Sequence, residues 1–200
     1  MKDNVVFKAA LLYTTNRVQF QKKYGDNKLA VGLLDEMFLE SESRPDLAER
    51  IALIAIGCIP SITKKGYDGM TSMGRPVEAK VRNYAGLMTA GRNRPYHSIN
   101  DISQNIVNKY VEDNPLFVFP YFYDGHLAAA FSVDFLPTLH AWYQGVLDNH
   151  VTGRVSKTLG PSTWLENSTI AFQNKDKTVV EKLPTVLKTH VFKVNAAAKK

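Results

Sequence analysis

Residues 66–84 read GYDGMTSMGRPVEAKVRNY, and the segment Val-Glu-Ala-Lys-Val at 77–81 alternates apolar and charged side chains. Successive side chains of a β-strand point to opposite faces of a sheet. The alternation therefore predicts a strand that turns its charged side chains, Glu78 and Lys80, to one face and its apolar side chains to the core.

A second acid stands upstream of this strand. Asp68 lies ten positions before Glu78, and Gly69 and Gly74 allow the chain to reverse between them. If the two segments pair as a hairpin, Asp68 lies beside Glu78 and Lys80.

The regions on either side of this hairpin predict helices and further strands. The first 60 residues have helical apolar spacing, with a start signal at Ser43 and Pro45. Residues 98–113 and 136–150 also have a helical pattern. Two apolar strands, 115–123 and 126–133, flank an Asp124-Gly125 turn.

The C-terminal third predicts short strands in three segments, STIAF, KTVVEKL and THVFKV. Pro120 predicts an edge strand or a bulge for the strand that contains it. Together these patterns predict fold class α/β, with a mixed central β-sheet flanked by helices.

We expect a single domain over residues 1–195. Within it, residues 1–44 form a helical N-terminal region and residues 45–195 form the core, and residues 196–200 form a solvated tail.

Composition limits the class of partner and compartment. The chain has 200 residues, a formal net charge of +6 and a pI of about 9.3, which favours an anionic partner such as nucleic acid. A single cysteine, Cys58, excludes an internal disulfide framework and is expected to be a buried apolar residue. Without a secretory signal or a long apolar run, we expect a soluble, cytoplasmic protein with no membrane partner.

The basic excess is concentrated around the hairpin. Residues 64–94 contain seven basic side chains and only two acidic ones, Asp68 and Glu78. A surface without a binding role usually intersperses acids among its basic groups. Two acids alone in a basic field suit a protein that binds phosphates and uses its acids to hold a metal ion.

The three groups have a chemical use together. Carboxylate oxygens suit Mg²⁺, and a neighbouring ammonium group can orient water or stabilise negative charge on a phosphate. This is the equipment of metal-assisted phosphodiester hydrolysis. The alternative is an exposed strand with an ordinary ion pair, worth about 0–1 kcal/mol.

The pattern Asp68…Glu78-Ala79-Lys80 resembles the signature of the PD-(D/E)XK nuclease superfamily, with Tyr67 in place of the proline. The order of elements over roughly residues 45–175 is similar to that of type II restriction endonucleases. The resemblance implies a restriction-endonuclease-like fold and cleavage of double-stranded DNA with Mg²⁺, for which Mn²⁺ can substitute. It also implies a homodimer, for which the N-terminal region is the predicted contact.

The resemblance implies roles for individual residues. Asp68, Glu78 and Lys80 would be catalytic, and Asp68, Glu78 and the Ala79 carbonyl would bind the metal. His97 and Asn100 would read bases, with Asn167 as a further base contact, and Glu49 would lie in the outer shell of the metal. The arginines of the basic field would hold DNA: Arg75, Arg82, Arg92 and Arg94.

Each assignment outside the catalytic trio has an ordinary alternative. His97 would be a loop histidine, Asn167 a turn residue and Glu49 a first-turn glutamate favoured by the helix dipole. For the whole chain, the alternatives are a non-catalytic nucleic-acid-binding module and a nuclease of another specificity, either structure-specific, repair-related or RNA-directed.

Overall fold

The structure is a computed structural model, and it describes residues 5–26, 31, 34, 45–61, 66–84, 95–150 and 155–198. Within these residues the chain is a mixed α/β structure with helices on both faces of a central sheet, as predicted. The predicted helical stripe between residues 29 and 38 lies mostly outside the described residues.

The central sheet has seven strands in the order β1-β2-β3-β6-β7-β9, with β4 also paired to β6. The strands are β1 (Ile59–Pro60), β2 (Gly69–Met70), β3 (Pro76–Ala79), β4 (Arg82–Tyr84), β6 (Leu116–Tyr123), β7 (His126–Asp134) and β9 (Thr169–Gln173). Strands β3 and β4 run parallel to β6, and the other pairs are antiparallel. The sheet is therefore mixed.

Strand β6 is central, so Pro120 does not lie at an edge, but the register of β6 with β7 shifts between Tyr121 and Phe122, next to the proline, as the predicted alternative of a bulge requires. Ala79 is the partner of Val118 and Arg82 is the partner of Tyr121, so the register places Val81 opposite Pro120. Proline has no N–H to donate to a strand ladder. The proline is tolerated in the middle of the sheet because it faces the gap between β3 and β4.

Each face of the sheet is covered by its own helices. One face packs on α1 (Val5–Thr15), α2 (Arg17–Tyr24) and α3 (Pro45–Ala55). The other packs on α4 (Gln104–Asp113), α5 (His140–Asp148), α7 (Lys177–Glu181) and α8 (Thr185–Ala197). Cys58 is buried, as predicted, and burial raises the pKa of its thiol.

A separate two-stranded sheet lies against the second face. It pairs β5 (His97–Ile102) with β8 (Val155–Leu159) in antiparallel register, and we refer to it as the β5–β8 ribbon. The helix predicted from residue 98 begins only at Gln104, with Ser103 as its N-cap. The preceding isoleucines, Ile99 and Ile102, are buried as residues of strand β5. Their short apolar spacing fits the period of a strand as well as that of a helix.

Two of the three strands predicted in the C-terminal third are helices. Residues 177–181 form α7, where Asp176 caps the helix by accepting from the Thr178 N–H. Residues 185–197 form α8, which buries Leu187 and Val191 one turn apart. Packing of these apolar groups on the sheet outweighs the β-propensity of their valines and threonines. A short helix, α6 (Pro161–Trp164), precedes β9.

The hairpin of β2 and β3 depends on two glycines. Gly74 has φ of +82° in the turn between the strands, a conformation that other residues rarely adopt. Gly69 lies so close to β1 that an added Cβ would stand 2.7 Å from the Ile59 carbonyl oxygen. Strand β1 therefore requires glycine at the position directly after Asp68.

We expect Gly69→Ala to lower the free energy of unfolding by about 1–3 kcal/mol, because β1 or β2 must shift. The matched control is Gly145→Ala in α5, where an added Cβ meets nothing within 4 Å. That change is expected to raise stability by about 0.5–1 kcal/mol through helix propensity. Urea denaturation of both variants checks the pair, and equal effects would contradict the packing argument.

No helix among the described residues is long and apolar enough to span a bilayer.

Candidate metal and nucleic-acid site

The hairpin brings the two predicted acids together. Gly69 is the register partner of Val77, and one step further this antiparallel register sets Asp68 beside Glu78. Asp68 Oδ2 accepts a hydrogen bond of 2.7 Å from the Ala79 N–H. The Asp68 carboxylate is thus fixed against the main chain of Ala79, the residue whose carbonyl is the third predicted metal ligand.

Lys80 lies on the same face as Glu78 and contacts it directly. Its Nζ donates to Glu78 Oε1 at 2.6 Å. Glu78 is 9% exposed, and the Lys80 side chain is 28% exposed. The alternative interpretation expects an ordinary ion pair on an exposed strand. The contact is an ion pair, but the two side chains are more buried than that interpretation expects.

Three carboxylates act on the Lys80 ammonium group. Burial opposes its charge, but Glu78, Asp68 and Glu49 together outweigh burial and raise the pKa of Lys80. Lys80 is therefore cationic at neutral pH. Glu49, in the first half of α3, is close enough to influence Lys80, which is consistent with the outer position predicted for it.

Aromatic side chains close this face of the site. Strand register places Glu78 beside Phe117 of β6. Burial, followed by the nearby charge of Glu78, raises the pKa of both Tyr110 and Tyr143 well above the usual range. Their hydroxyls stay protonated, so these aromatic groups add no negative charge near Glu78.

The arginines predicted to hold DNA occupy different environments. Arg75 Nε donates to the Asn114 carbonyl at 2.8 Å, and its Nη1 forms an ion pair with Asp134. These contacts give Arg75 a structural role, since they hold the hairpin against the end of α4 and the end of β7. Its contact with DNA stays a prediction. Arg82 is partly buried on the Glu78 face, and Arg92 and Arg94 lie outside the described residues.

His97 faces the core and is only 3% exposed. Its Nε2 lies 2.8 Å from the Tyr121 hydroxyl, and its ring packs on Phe119 and Trp164. The alternation of β5 turns Ser98 and Asn100 outward and His97 inward. A base cannot reach the buried ring in this arrangement, so the structure does not support His97 as a base-reading residue.

Burial, together with Arg82 and Lys80, lowers the pKa of His97 to about 3. A histidine that ionises near 6.5 when unfolded and near 3 when folded stabilises the fold fully above pH 6.5. That contribution is lost as pH falls from 6.5 toward 3. We expect this loss to reach ~1.4 kcal/mol per pH unit.

The check is the pH dependence of urea denaturation for wild type and His97→Gln. The variant retains a hydrogen-bonding group but has no ionisable ring, so its stability is expected to fall less steeply between pH 6.5 and 4.5. Parallel curves would contradict a buried neutral histidine.

The two asparagines predicted to contact bases lie in different settings. Asn100 is exposed on β5, beside the β5–β8 pairing, where it is accessible to a partner. Asn167 is also exposed, but it ends a short 3₁₀ turn (Leu165–Asn167) before β9 and does not lie in a strand.

Sequence reasoning missed the groups that surround the hairpin. The Tyr67 hydroxyl donates to Asp113 Oδ2 at 2.8 Å, and Lys109 Nζ lies 4.3 Å from the centre of the Tyr67 ring. The partners are more than 40 residues apart in sequence. The only available signal is Tyr67 itself, which stands at the proline position of the motif.

The donor set fits a hard divalent cation, since it consists of two carboxylates and a carbonyl. Among the described residues, no group of three or more His, Cys, Asp or Glu side chains is arranged to hold a metal ion. The predicted set contains only two such side chains and is completed by a main-chain oxygen.

A search against family models found no match for this chain, and a search of curated proteins found no significant similarity.

Proposed function

We propose that this chain is a Mg²⁺-dependent endonuclease that hydrolyses phosphodiester bonds of double-stranded DNA, as a restriction-like homodimer of PD-(D/E)XK type. The observation that carries the proposal is the juxtaposition of Asp68, Glu78 and Lys80 on one face of one hairpin. The juxtaposition follows from the register of β2 with β3, because Asp68 directly precedes β2 and its carboxylate accepts from the Ala79 N–H.

Each residue has a role that follows from its position. Asp68 and Glu78, with the Ala79 carbonyl, would hold Mg²⁺ or Mn²⁺, which supplies Lewis-acid stabilisation of the phosphate and a more acidic water. Lys80 is cationic, so its ammonium group orients the attacking water and stabilises negative charge on the phosphate. The hydrogen bond of 2.6 Å holds the Lys80 ammonium group beside the Glu78 carboxylate. A phosphate bound next to Glu78 would therefore lie within reach of Lys80.

The β5–β8 ribbon is the surface we propose for contact with DNA. A two-stranded β-ribbon fits the major groove. The exposed side of this ribbon carries Ser98, Asn100 and Thr158. Lys157 is also exposed, but it pairs with the buried Ile99 and points to the other side of the ribbon. In this proposal Asn100 reads a base edge, and His97 supports the ribbon from inside.

The test uses the whole chain with supercoiled plasmid, linear duplex, branched DNA and RNA. Each substrate is incubated with Mg²⁺, with Mn²⁺ and with EDTA. Cleavage of duplex DNA that needs metal supports the proposal. Preference for branched DNA or RNA would reassign the specificity, and salt-dependent binding without cleavage in either metal would indicate a non-catalytic module.

The homodimer is tested separately, by sedimentation of the chain with and without residues 1–44. A dimer that becomes a monomer on truncation supports the predicted role of the N-terminal region. A full-length chain that stays monomeric on DNA would contradict it.

A further inference from the structure

The last turn of α4 holds both sides of the hairpin that carries Asp68 and Glu78. Before β2, the Tyr67 hydroxyl donates to Asp113 Oδ2 at 2.8 Å. Before β3, Arg75 Nε donates at 2.8 Å to the main-chain carbonyl of Asn114. Asn114 follows Asp113 directly and is the C-cap of α4. Two consecutive residues of one helix end therefore fasten both strands of the hairpin.

The Tyr67 ring is held as well as its hydroxyl. Lys109 Nζ lies 4.3 Å from the ring centre, in a cation–π geometry. The Tyr110 ring lies 5.9 Å away at a tilt of 32°. Contacts to residues 109, 110 and 113 occupy one face of α4, because residues three and four apart share a helix face.

This anchor acts one peptide bond away from Asp68. The Asp68 carboxylate accepts from the Ala79 N–H at 2.7 Å, and its main-chain carbonyl accepts from the Ser61 N–H at 2.7 Å. These two bonds place the carboxylate relative to β3 and β1. The Tyr67 side chain ties the same segment to the helix layer above the sheet.

We propose that Tyr67 is a positioning residue, which holds Asp68 in the geometry needed for metal binding by fastening it to Asp113 on α4. The inference rests on the proposed metal-dependent function of the same site. In the motif that this chain resembles, a proline restricts the backbone before the aspartate. Tyrosine does not fix the backbone angle φ as proline does. In this chain the hydrogen bond from the Tyr67 side chain to Asp113 restricts the segment instead.

The experiment measures Mn²⁺ binding by calorimetry, without DNA, for wild type, Tyr67→Phe, Asp113→Ala and Asp113→Asn. Tyr67→Phe and Asp113→Ala are expected to weaken Mn²⁺ binding about three- to tenfold, less than the ~10–100-fold loss for partners that contact a metal ligand directly, because Tyr67 acts through the main chain. Asp113→Asn keeps an acceptor oxygen and is expected to stay within about twofold of wild type. Tyr24→Phe, on α2 and remote from the hairpin, is the control and is expected to bind as wild type.

Thermal unfolding and duplex binding in EDTA separate positioning from a general structural role. Both are expected to change little in Tyr67→Phe, while Mn²⁺ affinity falls. Unchanged Mn²⁺ affinity in Tyr67→Phe, or Mn²⁺ binding by wild type that is insensitive to Asp68→Asn, would overturn the proposal. Failure of wild type to cleave any nucleic acid would instead count against the proposed function, and the Mn²⁺ titration still decides the role of Tyr67.

Discussion

Replacing Lys80 with alanine is expected to slow DNA cleavage by about a thousandfold or more, because it removes a cation that lies 2.6 Å from a predicted metal ligand. Duplex binding in EDTA is expected to stay within about threefold of wild type, since a single phosphate contact contributes little to total affinity. Single-turnover cleavage of one plasmid at saturating Mg²⁺, with filter binding in parallel, measures both quantities.

Lys182 provides the matched control for this change. Its Nζ also pairs with a carboxylate, Asp124, at 2.9 Å, but the pair is exposed at the end of the β6–β7 hairpin. Lys182→Ala therefore removes the same charge and a similar contact without touching the site, and cleavage is expected to be unchanged. A Lys80→Ala variant that cleaves within tenfold of wild type would falsify the catalytic role of Lys80.

Loss of Lys80 has a structural consequence that needs its own measurement. Glu78 is 9% exposed and loses its ion-pair partner, which is costly when the remaining charge is partly buried. Urea denaturation of Lys80→Ala shows whether the variant is folded under assay conditions. Lys80→Met retains the aliphatic length and separates lost charge from lost packing.

The juxtaposition of Asp68, Glu78 and Lys80 could be predicted from sequence because its geometry is local. A strand alternation sets the relation of Glu78 to Lys80, and a short hairpin sets the relation of Asp68 to Glu78. Glu49 was harder to place, since its influence on Lys80 depends on how α3 packs on the sheet. The Tyr67–Asp113 bond was out of reach for the same reason.

The fold was predictable where one period dominated the sequence. The alternation at 77–81 and the turn at Asp124-Gly125 are strong signals, and both predicted hairpins are present. The start of the helix predicted at 98–113 and the last two C-terminal strands were predicted wrongly, because short segments rich in isoleucine, valine or threonine fit a strand or a helix equally well. Only the surfaces on which they pack, the aromatic side chains beneath β5 and the sheet beneath α8, select between the two.

Asp68→Asn is expected to lower metal-dependent cleavage by about a thousandfold, because the neutral amide removes one of the two anionic ligands that the site offers to Mg²⁺. The change keeps the size of the side chain, and its amide oxygen still accepts from the Ala79 N–H. Fold and hairpin geometry are therefore expected to persist. The loss should appear as a higher Mg²⁺ requirement together with a lower maximal rate.

Glu49→Gln makes the same chemical change one layer further out. Glu49 acts on the Lys80 ammonium through charge but is not in the predicted ligand set, so its neutralisation is expected to reduce the rate by at most about tenfold. Cleavage rates for both variants over a range of Mg²⁺ concentrations, with calorimetric Mn²⁺ titration, compare the two positions. Equal losses at the two positions would mean that net negative charge near Lys80, and not direct ligation by Asp68, accounts for the metal requirement.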